Sequence, residues 1–224
     1  MSNVIIVCGD VGTGKTRSVK NLNPKETFLI NVLNKPLSFR GNSYEINKNM
    51  ISTSDWSVVG KTITEIGQKK PEIKTIIIDD AGFIMTTELF NRSSEKGYEK
   101  FTEIGTHMQR ILSCAKDQRE DLTVIFIFHE DDDTSDRIKV SKKVKTIGMM
   151  LEDKYNPLGV VTIALFTNVD FNKDGEAVYS FITNRTLING VIIPAKSPEG
   201  MFDSLKIPND LDLVIKKIKQ YYGK

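Results

Sequence analysis

Gly9-Asp10-Val11-Gly12-Thr13-Gly14-Lys15-Thr16 follows directly on the apolar run Val4-Ile5-Ile6-Val7-Cys8. The spacing G-x-x-x-x-G-K-[ST] after a strand is that of a loop whose backbone N–H groups wrap a phosphate. A helix opening at Lys15 would add the positive end of its dipole. The Lys15 ammonium then reaches the β- and γ-phosphates, and the Thr16 hydroxyl takes one position on Mg²⁺. All eight residues, Gly9 through Thr16, are assigned to the nucleotide, with ATP and Mg²⁺ as the expected ligands.

Such a loop needs a carboxylate facing it across the metal. Ile76-Ile77-Ile78-Asp79-Asp80 supplies one at the end of an apolar run. Asp79 is placed at the metal beside Thr16. Asp80 either orients the attacking water or caps the segment beginning at Ala81. Hydrolysis also needs a group that reports on the γ-phosphate. His129-Glu130 ends the run 122–128, where a parallel sheet delivers its carboxyl edge to the ligand. Lys15, Asp79, Asp80, His129 and Glu130 are therefore the catalytic candidates.

Strands and helices alternate through the first two-thirds of the chain, which predicts an α/β fold with a mostly parallel central sheet flanked by helices. The runs 3–8, 27–32, 74–79 and 122–128 are continuously apolar, as strands covered on both faces require. Trp56, Val59, Ile63 and Ile66 mark a helix that Pro71 closes. A longer helix carries Tyr98, Phe101, Ile104, Met108, Ile111, Leu112 and Ala115, ending near Asp117. Beyond residue 129, strands at 160–167, 177–183 and 190–193 are joined by short turns. Asn172-Lys173-Asp174-Gly175 is a hairpin signal. An amphipathic helix from Leu211 to Tyr222 ends the pattern, with acids at its start and lysines near its end.

The chain has 224 residues, 39% hydrophobic and 27% charged, which fits one globular domain over 1–224. Net charge is +2, from 31 basic and 29 acidic residues, so any polyanion contact must come from local clustering. Cys8 and Cys114 lack metal spacing and read as reduced core thiols. No signal peptide and no membrane span is read, and a cytoplasmic protein is expected.

Arg137, Lys139, Lys142, Lys143 and Lys145 give five cations in nine residues without an acid. This stretch is the candidate for DNA contact, with the preceding acids and the protection of an edge strand as the competing explanation. Base stacking would fall to Phe171, Tyr179 and Phe181, although alternating strand aromatics are mostly core. Residues 91–97 read as a mobile loop, and Arg92 or Lys196 could reach a neighbouring subunit's γ-phosphate.

The order of these segments resembles the RecA-like P-loop ATPases of bacteriophages, in particular the Sak-type recombination ATPases. Besides the phosphate loop and the strand ending at Asp79, the likeness rests on shorter pieces. They are Gly97-Tyr98-Glu99-Lys100-Phe101, Phe128-His129-Glu130, Lys145-Thr146-Ile147-Gly148, Ala195-Lys196-Ser197-Pro198, Gly200-Met201-Phe202 and Ile207-Pro208-Asn209-Asp210. It spans nearly the whole chain, and its specific motifs are the two nucleotide segments. The resemblance implies ATP hydrolysis coupled to single-stranded DNA, in a homo-oligomer that works with single-strand DNA-binding protein in the infected host. The chain departs from that family at Asp80, where Ser is more usual, and lacks a clear catalytic Glu after 27–32. Ile-Ile-Asp-Asp-Ala-Gly is also similar to AAA+ helicase loaders, whose second acid activates water. A nucleotide-gated, non-catalytic interaction module is a further alternative. A small-molecule kinase fits less well, because no Arg-rich lid is found.

Overall fold

Four parallel strands buried on both faces form the centre of the molecule, in a computed structural model that describes residues 1–40, 43–135, 138–148, 151 and 155–223. They are β1 (Asn3–Gly9), β2 (Thr27–Asn31), β4 (Thr75–Asp79) and the first half of β5 (Thr123–Ser135), with the short β3 (Met50–Ser52) parallel to β2 at the edge. β5 is inserted between β1 and β4, pairing parallel with both. β7 (Ile163–Phe171) continues the sheet parallel to β1, and β8 (Ala177–Ile182) and β11 (Lys206–Pro208) extend it antiparallel.

Alternation along these strands sorts the side chains into two layers, as the pleat dictates. Ile6, Cys8, Ile30, Ile76, Ile78, Phe126 and Phe128 meet helices α1 (Trp56–Lys69), α2 (Gly82–Asn91) and α3 (Glu99–Lys116). Ile5, Val7, Leu29, Ile77, Ile125 and Leu165 face the other way, toward α4 (Leu211–Tyr222). Asp55 starts α1 by accepting the N–H groups of Ser57 and Val58, and Asp210 starts α4 by accepting that of Asp212. Truncating a buried core side chain such as Met108 to Ala costs about 2–5 kcal/mol. The mostly parallel α/β sheet with antiparallel hairpin strands and a terminal helix is as expected. Both cysteines are free, Cys8 fully buried and Cys114 partly. Among the described residues no helix is long and apolar enough to cross a membrane.

The fold departs from the sequence expectations at several points. No α-helix follows the phosphate loop, only a single 3-10 turn over Thr16–Val19. Pro24 restricts Asn23, whose Oδ1 accepts the Lys25 N–H at 3.1 Å, so the chain turns into β2 within a few residues. Glu130 to Asp133, acids with poor strand propensity, nonetheless extend a strand. β5 runs on to Ser135 and folds back as β6 (Ile138–Val144), with Asp132 opposite Lys142 and a register shift after Asp133. Cross-strand acid–lysine pairs override the poor strand propensity of aspartate. α2 and the short strands β3, β9 (Thr186–Ile188) and β11 carry too little periodicity to be read from sequence. β9 pairs with β10 (Val191–Ile193), which joins β6 in a small outer sheet.

The loop at 91–97, expected to be mobile, is tied down by Arg92, which bonds Glu88, Glu95 and Glu103. Phe181 is core as expected of an alternating aromatic, whereas Phe171 is 73% exposed.

Candidate nucleotide site

Register brings one row of residues to the carboxyl edge of the sheet. Asn31 lies opposite Asp79, Gly9 opposite His129, and Thr167 follows the Cys8–Phe166 pair. The phosphate loop rises from this row at Gly9. A side chain there is impossible without a shift, since a Cβ would stand 1.7 Å from Thr167 Oγ1. Gly12 and Gly14 have φ of 77° and 90°, which glycine adopts without steric cost. A Cβ on Gly14 would also press on the Tyr179 ring at 2.7 Å. Arg17 stacks over that ring, 4.6 Å from its centroid.

The loop closes on itself. Thr13 Oγ1 bonds Thr167 Oγ1 at 2.5 Å and donates to the Asp10 carbonyl at 2.7 Å. Lys15 is only 6% exposed and donates to the same carbonyl at 2.7 Å. Burial pulls its ammonium below the ordinary lysine value, opposed by the carboxylates of Asp80, Asp79 and Asp10. With a single 3-10 turn behind it, the loop depends on its own amides and on Lys15 more than on a helix dipole.

Under the loop, Thr16 Oγ1 lies 3.0 Å from both oxygens of Asp79. Asp79 is 3% exposed. Burial, then the charge of Asp80, pushes its carboxyl up to about 6, and Thr16, Lys35 and Lys15 only partly offset this. A buried carboxylate held so far above its ordinary value beside a hydroxyl is an oxygen donor set short of positive charge, which fits Mg²⁺. No cluster of three acidic, His or Cys residues that could enclose a metal exists among the described residues. Mg²⁺ takes one or two protein ligands and completes its shell with phosphate and water.

Asp80 completes the pair at a left-handed φ of 59°, rare for a non-glycine residue and costing of order 1–3 kcal/mol. Its carboxylate accepts from His129 Nε2 at 3.1 Å and from the Lys35 ammonium. Burial alone would raise the Asp80 carboxyl, but the bonds from His129 and Lys35 outweigh it and leave it below the ordinary value. His129 is held edge-on to Phe83, ring centroids 5.7 Å apart. It also lines a cavity of about 390 Å³ with Val11, Lys145 and Ile147.

The structure therefore brings Lys15, Thr16, Asp79, Asp80 and His129 together. Glu130, the next residue on β5, faces the opposite side, where Lys142 pairs with it at 2.7 Å. It shares a second cavity of about 340 Å³ with Thr13 and Thr167. Sequence reasoning missed Lys35, Asn31 and Thr167. A polar Asn closing the apolar β2 was the one available signal for the first two, and Thr167 carries none.

Of the DNA candidates, Lys139, Lys142 and Lys143 lie on β6. Lys139 pairs with Asp132 at 2.6 Å, and Lys142 with Glu130 and with Asp132 at 2.9 Å. Lys143 also has a partner, Lys145 lies beside His129, and Arg137 lies outside the described residues. The four acids Glu130 to Asp133 on β5 stand against Lys139, Lys142 and Lys143 on β6 with Lys145 just beyond it, so the charges of this stretch sum to zero among the described residues. Arg92 is held by three glutamates, and Lys196 is bonded through its backbone to Ala164.

No curated protein matches the chain. A family model described as an AAA domain matches residues 1–188. That span takes in the phosphate loop, both aspartates and His129. By a match over most of its length, the chain belongs to the AAA domain family, whose domains bind nucleotides and generally hydrolyse them.

Proposed function

We propose that the protein is a Mg²⁺-dependent ATPase of RecA-like architecture that binds single-stranded DNA and assists phage recombination or strand annealing. It acts as a homo-oligomer with single-strand DNA-binding protein in the cytoplasm of the infected host, its single domain carrying the whole site. The observation that carries the nucleotide part is the Thr16–Asp79 pair beneath a glycine-shaped loop whose buried lysine has only a carbonyl to bond.

In this reading Lys15 leaves the Asp10 carbonyl for the β/γ-phosphate oxygens, where its charge offsets that developing in transfer. Thr16 and Asp79 hold Mg²⁺, which when bound neutralises phosphate charge. Asp80 stays ionised and accepts a hydrogen bond from the attacking water, while His129 fixes its orientation. His129 rather than Glu130 is assigned to the terminal phosphate, because Glu130 is engaged by Lys142 on the other face.

DNA contact is assigned to Lys139, Lys142, Lys143 and Lys145. The charge balance of the hairpin favours a second reading, a helicase loader or nucleotide-gated module whose partner is a protein. ATP turnover of the wild type and Lys15→Ala, with and without single-stranded DNA at low and high salt, separates the two. Turnover stimulated by DNA and lost with Lys15 supports the recombination ATPase. Turnover indifferent to DNA, with no DNA retained at low salt, removes that role in favour of the protein partner.

A further inference from the structure

We propose that Lys35 is the residue that distinguishes a nucleoside triphosphate from a diphosphate, exchanging its contact with Asp80 for one with the terminal phosphate. The inference rests on the nucleotide reading above and adds a residue and a preference that the reading does not contain.

Lys35 follows β2 by four residues, and its backbone is fixed by one side chain. Asn31 Nδ2 donates to the Lys35 carbonyl at 2.7 Å, and Asn31 Oδ1 accepts the Lys35 N–H at 3.3 Å. Asn31 is itself 5% exposed and stands in register with Asp79, so the clamp is built into the carboxyl row of the sheet. The base of the Lys35 side chain is thus held while its stem remains 54% exposed and able to swing. Its ammonium sits on Asp80, a buried carboxylate that His129 holds from the other oxygen.

The other cations that could meet a terminal phosphate are occupied or remote. Arg92 is bound by Glu88, Glu95 and Glu103. Lys196 is bridged to Ala164 on β7, with Lys116 as its charged neighbour. Lys15 is shared by every phosphate the loop holds, so it cannot by itself tell two phosphates from three. Lys35 pairs with Asp80 and its charge also acts on Asp79, the residue assigned to the metal, so its ammonium stands at the acidic side of the loop. A phosphate carrying more charge than one carboxylate competes for the ammonium, and a diphosphate leaves it on Asp80. Lys35 is half-exposed while Asp80 is buried, and the bond from His129 keeps Asp80 partnered when the ammonium leaves.

Binding of Mg-ADP and of a slowly hydrolysed Mg-ATP analogue is measured by titration calorimetry for the wild type, Lys35→Ala, Lys35→Arg and Asn31→Ala. Melting temperatures without nucleotide establish that each variant is folded. The expected result is a loss of about tenfold to a hundredfold for the triphosphate in Lys35→Ala. ADP should stay within about twofold, and Lys35→Arg should recover most of the loss. Asn31→Ala should show a smaller, similarly selective loss. Equal losses for both nucleotides, no loss for either, or tighter triphosphate binding would overturn the role of Lys35 and leave the nucleotide site standing. A wild type that binds neither nucleotide would overturn both.

Discussion

Replacing Asp79 by Asn should make the nucleotide-free protein more stable and abolish its response to Mg-nucleotide. The carboxyl is raised from 3.8 to about 6 because it is buried beside Asp80 with no full counter-charge. For an acid raised on folding, the native chain keeps a proton that the unfolded chain has released between those two values. Stability therefore falls as pH rises through that window, and above it the ionised Asp79 costs up to about 3 kcal/mol. Asn removes the ionisation and can still accept from Thr16, while its new amide donor lacks a partner and returns about 1 kcal/mol. The net gain of about 2 kcal/mol corresponds to roughly 4–8 °C in a domain of this size. Thermal melts of wild type and Asp79→Asn without nucleotide or metal, from pH 4 to 8, read this directly. The advantage of the variant should be full at pH 8 and fade toward pH 4, where the native carboxyl is protonated and the unfolded one is near its midpoint. Taking the difference between the two proteins cancels carboxylates remote from the site, such as Asp132, which titrate in the opposite sense. An Asp79→Asn protein that melts no higher than wild type at pH 8, or whose advantage does not change with pH, refutes the argument that this carboxylate is short of charge.

Gly9→Ala should cost about 1–3 kcal/mol and displace the loop, because its Cβ meets Thr167 Oγ1 at 1.7 Å. Adding Thr167→Ala should recover part of the melting temperature, and a double variant as unstable as the single would place the strain elsewhere. On the β5–β6 hairpin, Asp132→Asn with Glu130→Gln removes the partners of Lys139 and Lys142. If this surface meets DNA, filter binding should show tighter retention of single strands and a steeper dependence on salt, by about 0.7 in log–log slope per added phosphate contact. Unchanged retention would exclude the hairpin.

What could be read from the chain was what depends on local pattern. The strands under the loop are short apolar runs, Ile76-Ile77-Ile78 being one, and doubly buried strands need nothing else. The loop and Asp79 follow from spacing, because the chemistry of a phosphate and its metal allows few alternatives. The hairpin was not legible for the opposite reason. Asp131, Asp132 and Asp133 are poor strand residues, and only the lysines of β6 placed across from them make the extension stable. The helix expected after Lys15 failed because a strong motif was allowed to imply its usual continuation, while Asn21-Leu22-Asn23-Pro24 says otherwise.

The shortness of that turn bears on how tightly the site can hold a ligand. Without nucleotide, Lys15 bonds Asp10, Thr13 bonds Thr167, and Thr16 bonds Asp79, so the polar groups aimed at a triphosphate already have partners. A ligand exchanges these contacts instead of filling vacant ones, and each exchange yields only the difference between two hydrogen bonds. Nor does a long helix dipole add to the balance. The charge-assisted terms must then carry most of the affinity, which means Lys15 on the inner phosphates and a divalent ion relieving Asp79. Binding at such a site should weaken steeply when Mg²⁺ is withheld, because the acidic pair of Asp79 and Asp80 then faces the phosphates with little to offset it.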